Sequence, residues 1–214
     1  MNWREVIRPF NEGAARYDEW YENNPAFAIE LAALRAINQD LPGPRLEIGV
    51  GTGRFAQALQ IGFGLDPAIS PLRTASRRNI MTINGIGEHL PLRSQAIGTV
   101  YLLFTLCFLP EPAPVLQECA RVLRPGGRLV VGLIPALSPW GRRVAEQAGR
   151  SGSWYRHAQV RTIAESVRLL TAGGFAVLAS RSTLFQVPDR RLTFEEPVAG
   201  MAEEAGFCVL VAGR

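Results

Sequence analysis

The sequence predicts an α/β fold of the doubly wound type, in which a mostly parallel sheet carries helices on both faces. From residue 45 to residue 134, short apolar segments of strand character alternate with segments of helical apolar spacing. A glycine-rich turn follows the first of these strands. The last two strand candidates have no helix of convincing period between them, which predicts an antiparallel hairpin at one edge of the sheet.

The elements can be assigned in chain order. An amphipathic N-terminal segment precedes a helix at 25–37, which ends before a Leu-Pro-Gly-Pro loop. The alternating region then gives a strand at 45–49, a helix at 54–60, a strand at 61–65, a helix at 71–78, strands at 80–84 and 99–104, a helix at 113–123 and a strand at 128–134. The last third gives a helix at 163–172 and strands at 175–185 and 207–212.

Length and composition favour one ordinary globular domain. The chain has 214 residues, of which 47% are apolar and 20% charged, so neither disorder nor a fibrous repeat is expected. The longest apolar stretch, residues 99–110, is too short to cross a bilayer, and no secretion signal opens the chain, which predicts a cytoplasmic protein without membrane insertion. The three cysteines have neither disulfide nor zinc-site spacing, so we expect free thiols and no metal.

The turn after the first strand carries most of the functional information. It reads Glu47-Ile48-Gly49-Val50-Gly51-Thr52-Gly53, and its glycines let the backbone pass close to a ligand at the start of a helix. A dinucleotide fingerprint would need glycine where Arg54 stands. Gly-x-Gly-x-Gly with an acid two residues ahead instead resembles motif I of the class I methyltransferases, which bind S-adenosylmethionine.

A carboxylate ends the second strand, in Gly64-Leu65-Asp66-Pro67. Asp66 is placed where it can accept two hydrogen bonds from a ribose diol. Each feature alone has a structural explanation, since a glycine-rich turn is often only tight and an Asp before Pro is a common helix N-cap. Their order and spacing together favour the methyltransferase interpretation.

Two further segments extend the resemblance. Gly87-Glu88-His89-Leu90-Pro91 and residues 121–129 resemble signatures of the type 11 methyltransferase domain, the branch similar to the enzymes of ubiquinone biosynthesis, over residues 45–134. This resemblance implies a Rossmann-like, seven-stranded sheet that binds S-adenosylmethionine and releases S-adenosylhomocysteine. The residues that it assigns to the cofactor are Glu47, Gly49, Val50, Gly51, Gly53, Asp66, Pro67, Gly87 and Glu88, with Phe104 and Thr105 against the methionine part.

This sequence departs from the family at two positions. Many relatives carry Asp where Ile86 and Gly98 stand, so we expect adenine to be held here by backbone groups and apolar stacking. Glu88 has a second interpretation, as a carboxylate that starts a helix.

The chain is expected to form a single domain, residues 1–214, with three parts. Residues 1–40 are expected to form a helical lid, 45–135 the cofactor-binding core, and 136–214 the acceptor-side connection with the C-terminal hairpin. Candidate acceptor-side residues are Tyr17, Trp20, Tyr21, Cys107 and Tyr155. The aromatic residues near the N-terminus suit either a lid or simple packing on the sheet, and Cys107 suits either a soft substrate or a buried apolar position.

The predicted activity is methyl transfer to a small-molecule acceptor, with no catalytic residue assigned. An RNA methyltransferase is one alternative, because residues 121–191 contain twelve arginines against three acids, a net charge of +9. The loop after the fourth strand lacks the Pro-Pro-aromatic clamp of enzymes that methylate a flipped base, and no Pro-Cys nucleophile occurs. A regulator that binds S-adenosylmethionine without catalysis is the other alternative.

Overall fold

The centre of the protein is an eight-stranded sheet. The structure, a computed structural model, describes residues 3–22, 24–38, 40–188 and 190–214. The strands are β1 (Arg45–Ile48), β2 (Phe63–Asp66), β3 (Met81–Asn84), β4 (Ile97–Leu103), β5 (Leu123–Leu133), β6 (Ala176–Thr183), β7 (Val198–Ala199) and β8 (Phe207–Gly213). Their order across the sheet is β3-β2-β1-β4-β5-β8-β6-β7. The five strands from β3 to β5 are parallel to one another, as predicted.

The chain reverses its direction of travel across the sheet between β1 and β4. From β1 it builds outward through β2 to β3 and then returns, so that β4 pairs with the other side of β1. In open α/β sheets a ligand binds beyond the carboxyl ends of the strands at such a reversal. This topology makes the loops after β1, β2 and β4 the place to search for a site.

The predicted fold class is confirmed, with one strand more than the seven expected. The additional strand, β7, has two residues and pairs antiparallel with Arg181 and Ser182 of β6, which is too short for any sequence period to show. The last strand, β8, is antiparallel as predicted, and it lies between β5 and β6. All seven of its residues are buried, which is the pattern of a strand covered on both faces.

Helices cover both faces of the sheet. They are α1 (Trp3–Glu22), α2 (Ala26–Asn38), α3 (Arg54–Ala58), α4 (Ile69–Arg77), α5 (Pro112–Val122), α6 (Pro139–Gln147) and α7 (Ile163–Ala172). Two hydrophobic cores result, one with α5 and α7 and one with α2, α3 and α4. The central strand β4 serves both, because Val100 and Leu102 point into the first core and Tyr101 and Leu103 into the second.

Local sequence signals explain where several elements begin. α7 starts at a capping box, in which Thr162 and Glu165 each bond the other's backbone amide. α6 was not predicted, although Ser138 caps it and Pro139 occupies its first turn. β5 begins earlier than predicted, because Leu123 already pairs with Ile97 ahead of the Pro-Gly-Gly turn.

Within the described ranges, no helix has the length and apolarity needed to cross a membrane. The same residues contain no group of three or more His, Cys, Asp or Glu side chains arranged to hold a metal ion.

Candidate active site

The glycine-rich turn after β1 is pressed against the loop that follows β4. Gly49 has a φ of +77°, and a Cβ at this position would overlap the Thr105 hydroxyl oxygen. That oxygen lies 3.0 Å from the carbonyl oxygens of both Ile48 and Leu103, so it joins the ends of β1 and β4. Glycine meets both the backbone conformation and the close approach required at position 49.

Gly51 faces open space instead. Its φ is +54°, and a Cβ here would have no protein atom within 4 Å. The Gly51 amide donates a hydrogen bond to Asp66 Oδ2 at 2.9 Å, and the Ala68 amide donates to Oδ1 at 2.8 Å. The turn therefore exposes bare backbone beside a carboxylate that is held from two sides, and each carboxylate oxygen retains a lone pair for a ligand.

Two buried carboxyl groups lie close to this turn. Burial raises the pKa of Asp66 to about 6, although the hydrogen bonds donated by the backbone amides of Ala68 and Gly51 oppose the shift. Burial also raises the pKa of Glu47 well above its usual range, and the neighbouring Asp66 adds to the effect. Among the described residues no group donates a hydrogen bond to Glu47 Oε2. A buried polar atom of this kind is rare in folded proteins and indicates a missing partner.

A cavity opens beyond the carboxyl ends of β1, β2 and β4. Its space, part of it open to solvent, amounts to about 890 Å³. Eight of the residues predicted to form the site line it, namely Gly49, Gly51, Asp66, Pro67, Gly87, Phe104, Thr105 and Tyr17. The loops at the strand reversal and the N-terminal helix therefore surround one space.

The roof of this cavity is α1. Its apolar stripe points inward, and the stripe consists of Trp3, Val6, Ile7, Phe10, Ala14 and Tyr17. The first five of these residues are not among the predicted site residues. The spacing of three and four residues along an amphipathic segment was the signal that could have identified them. Ile86, where relatives carry Asp, also lines the cavity and gives it an apolar wall.

Asp18 fastens α1 to the glycine-rich turn. Its carboxylate accepts a hydrogen bond from the Thr52 hydroxyl at 2.7 Å and charge-assisted bonds from Arg54 and Arg78. Burial alone would raise the pKa of Asp18, but the bonds from Arg78, Arg54 and Thr52 hold it well below its usual range. The position of the roof is therefore coupled to the conformation of the turn beneath it.

Four residues assigned to the cofactor do not line the cavity. Glu47 is buried behind the turn, and Val50 packs on Gly64 of β2. Gly53 has a φ of +77° and packs on Ala75 of α4, which explains a glycine there by packing. Glu88 is half-buried and, like Glu47, has a buried oxygen that no described residue contacts by a hydrogen bond.

The acceptor-side candidates fall into an inner and an outer group. The rings of Tyr17 and Tyr21 meet edge-on, with their centroids 5.3 Å apart. The Tyr155 ring stacks on Phe108 of the cavity wall, with 6.4 Å between the two centroids. Trp20 is 39% exposed and contacts Tyr21 from outside. The Cys107 thiol donates to the Phe104 carbonyl oxygen, and burial raises its pKa to about 12, so it behaves as an unreactive thiol.

Comparison with known proteins agrees with this architecture. The sequence profile of the family described as "Methyltransferase domain" matches residues 46–131. An uncharacterized protein of Mycobacterium tuberculosis is 43% identical over 93% of this chain and 71% of its own length. An uncharacterized protein of Methanocaldococcus jannaschii is 31% identical over 85% of this chain and 87% of its own.

A solved structure resembles almost the entire chain. It is described as a SAM-dependent methyltransferase, possible histamine N-methyltransferase, from Thermotoga maritima. The TM-score is 0.88 at 29% sequence identity, with 97% of this chain and 98% of that chain covered. An uncharacterized methyltransferase of Mycobacterium tuberculosis is 29% identical over 70% of this chain and 62% of its own. The family match, the strand order and these relatives together identify this protein as a class I S-adenosylmethionine-dependent methyltransferase.

Proposed function

We propose that this enzyme methylates a small-molecule acceptor inside the cavity beneath α1. The observation that carries the proposal is the enclosure of one apolar cavity between the glycine-rich turn, Asp66 and the inner face of α1. We assign its two ends to different ligands. S-adenosylmethionine occupies the end at Asp66 and Ile86, and the acceptor occupies the end at Tyr17 and Phe104.

The chemistry of the cavity wall fits the methyl donor. The free lone pairs of Asp66 suit the two hydroxyls of a ribose, and the bare backbone at Gly51 leaves room for a nucleoside to approach. Ile86, Pro67 and Ala68 provide an apolar surface for the adenine ring. Glu47 lies behind the turn and not in the wall, and we assign its unpartnered oxygen to the amino group of the methionine part, which would have to reach it past the turn.

The bound sulfonium supplies an activated methyl group with a good leaving group. The remaining work of the protein is to align the acceptor and exclude water. Alignment of this kind is worth about 7–11 kcal/mol of the barrier in favourable cases. The rigid junction of Gly49 with Thr105 and the roof formed by Phe10 and Tyr17 serve alignment and exclusion respectively.

A small acceptor is favoured over RNA by the position of α1 and by the use of the arginines. A base attached to a polymer would have to displace Phe10 and the rest of the apolar roof. Several arginines of residues 121–191 are bound to the protein itself. Arg121 pairs with Glu118, and Arg161 donates to carbonyl oxygens of the loop after β4. These groups already have partners, which weakens the case for a phosphate-binding face.

The proposal can be tested in two steps. Calorimetry should detect S-adenosylhomocysteine binding to the wild-type protein and a loss of about tenfold or more in Asp66→Ala. The protein is then incubated with labelled S-adenosylmethionine and a cell extract, and the label is followed in the small-molecule and RNA fractions. Label in the small-molecule fraction is expected. Label confined to RNA, with binding that weakens steeply with salt, would replace the proposed acceptor class.

A further inference from the structure

A buried carboxyl group on α2 interacts electrostatically with tyrosines near the acceptor end of the cavity. Glu30 belongs to the second turn of α2 and is only 4% exposed. Its Oε2 atom has no hydrogen-bond partner in the described part of the chain. An unpartnered carboxyl oxygen in the interior is costly unless something else satisfies it. None of the interactions described above uses this group.

Tyrosines connect Glu30 to the cavity. The Glu30 carboxyl group interacts electrostatically with Tyr21, whose ring meets the Tyr17 ring edge-on with the two centroids 5.3 Å apart. Tyr17 itself lines the cavity, and Tyr155, also coupled electrostatically to Glu30, stacks on Phe108 of the cavity wall. Of these residues only Tyr17 lines the cavity, so Glu30 would act on a bound ligand through the tyrosines.

The surroundings of Glu30 suit a cation. The faces of aromatic rings attract positive charge, and a buried carboxylate is stabilised by pairing with an ammonium group. No arginine in the described ranges forms a salt bridge with Glu30, so the matching positive charge is not supplied by those residues. A hydroxyl or a neutral ring would leave the carboxylate without that partner.

We propose that the acceptor carries an amino group on an apolar or aromatic body, and that Glu30, with Tyr17, Tyr21 and Tyr155, forms the subsite for that amine. This inference rests on the proposed function and narrows its acceptor class. The aromatic wall receives the apolar body, Tyr17 lies nearest to the nitrogen, and Glu30 supplies the negative charge from behind the tyrosines. Glu30 acts partly through the tyrosines and is therefore a specificity-determining residue in this site.

The protonation of Glu30 gives the subsite a measurable signature. Burial raises the pKa of Glu30 to about 8, while the interaction with Tyr21 opposes the shift, so the group is mostly protonated in the free protein at neutral pH. A bound ammonium group lowers that pKa, and Glu30 then releases its proton to the buffer. The titratable groups facing it are Tyr17 and Tyr21 of α1, Tyr155 of the α6–α7 connection and, beyond Tyr17, Cys107. Burial raises the pKa of each of these four groups, so they remain neutral.

The test uses the full chain saturated with S-adenosylhomocysteine, so that no turnover is needed. Phenethylamine and 2-phenylethanol are the probes, because they match in size and differ in charge. Calorimetry at neutral pH in buffers of different ionisation enthalpy measures both affinity and proton release. We expect phenethylamine to bind about tenfold or more tightly than the alcohol and to release about one proton. At about pH 9, where Glu30 is already ionised, the release should vanish.

Two variants separate this subsite from a structural role. Glu30→Gln should lose both the preference for the amine and the proton release, while S-adenosylhomocysteine still binds. Glu12→Gln removes one charge from the exposed face of α1 and should behave as wild type. Equal affinity for amine and alcohol, or proton release that persists in Glu30→Gln, overturns the inference. If S-adenosylhomocysteine itself fails to bind, the proposed cofactor site fails and the inference falls with it.

Discussion

Arg78 and Asp18 form a bidentate pair, in which the two terminal guanidinium nitrogens donate to the two carboxylate oxygens at 2.9 and 2.7 Å. Arg78 follows α4 and also donates to the Thr52 carbonyl oxygen of the glycine-rich turn. Arg54, at the start of α3, reaches the same carboxylate. One side chain of α1 therefore holds the roof of the cavity to two helices and to the turn that bears Gly51.

Removing this carboxylate should release α1. Asp18→Ala removes the carboxylate that Arg54 and Arg78 share, in a setting where the Asp18 side chain is only 17% exposed. We expect a loss of about 3 kcal/mol in the free energy of unfolding and faster hydrogen exchange of the α1 amides, both measured against wild type. The exposed pair of Arg8 and Glu12 provides the control, because Glu12→Ala should change neither quantity measurably. Unchanged exchange in Asp18→Ala would show that the apolar stripe alone holds α1.

The stability of the protein should depend on pH through two carboxyl groups whose pKa values shift in opposite directions on folding. The folded pKa of Asp18 is below its unfolded value, so its contribution is present above about pH 4 and is lost as the pH falls. The folded pKa of Glu30 is about 8, above its unfolded value, so the charged form is disfavoured in the folded state and stability decreases as the pH rises toward 8.

The free energy of unfolding of Glu30→Gln should therefore increase relative to that of the wild type as the pH rises. Urea unfolding at several values between about pH 5 and pH 9 measures the difference, which should grow by up to about 1.4 kcal/mol for each pH unit up to about pH 8 and then level off. A constant difference across the interval would contradict the raised pKa of Glu30.

A methyl group at Gly51 should weaken cofactor binding without disturbing the packing. Its φ of +54° imposes a conformational cost of about 1–2 kcal/mol on alanine, and the added Cβ meets no protein atom within 4 Å. Gly126→Ala is the matched control, since Gly126 has a φ of +75°, the same open surroundings and a position outside the cavity lining. Both variants should lose similar stability in urea, and only Gly51→Ala should lose affinity for S-adenosylhomocysteine, by about tenfold or more. Equal affinities would remove Gly51 from the site.

The affinity for S-adenosylhomocysteine should also fall in acid. The pKa of Asp66 is raised to about 6 by burial, so protonation below that pH removes acceptor capacity that the ribose hydroxyls need. Calorimetry between about pH 5 and pH 8 should show weaker binding at the acid end, by up to about tenfold per pH unit. In Asp66→Asn, whose side chain does not titrate, this dependence should be flattened. A slope of the same size in that variant would assign the effect to another group.

Sequence reasoning located the elements whose signals are local. The glycine spacing placed Gly49 and Gly51 at the carboxyl end of β1, and the alternation of strands and helices predicted that β1 to β5 run parallel to one another. The capping box at Thr162 is a signal of the same kind, since it depends on residues three apart. The insertion of β8 between β5 and β6 is a long-range relationship, and only its unbroken apolar run hinted at it.

The part of the candidate site that the glycine-rich turn forms was predictable from the sequence. The part that α1 forms was less predictable. The residues of α1 that line the cavity required knowledge of how α1 sits on the turn, which depends on Asp18 and its distant partners. Glu30 was missed because a single Glu in a helix usually faces water. Its position relative to Ala26, Ala33 and Leu34, all buried and three or four residues away, was the signal that the sequence contained.

The placement of β8 has a consequence for the order of assembly. β8 pairs with β5 on one side and β6 on the other, and the two strands it separates have no ladder between them. β6 and β7 can therefore join the rest of the sheet only after β8, which follows both in sequence, has paired with β5 and β6. Contacts so distant along the chain are slow to form. During synthesis, the segment that carries β1 to β5 is made before β8. Until β8 is made, β5 presents an unpaired edge, and at that stage the growing chain would be most exposed to misassociation.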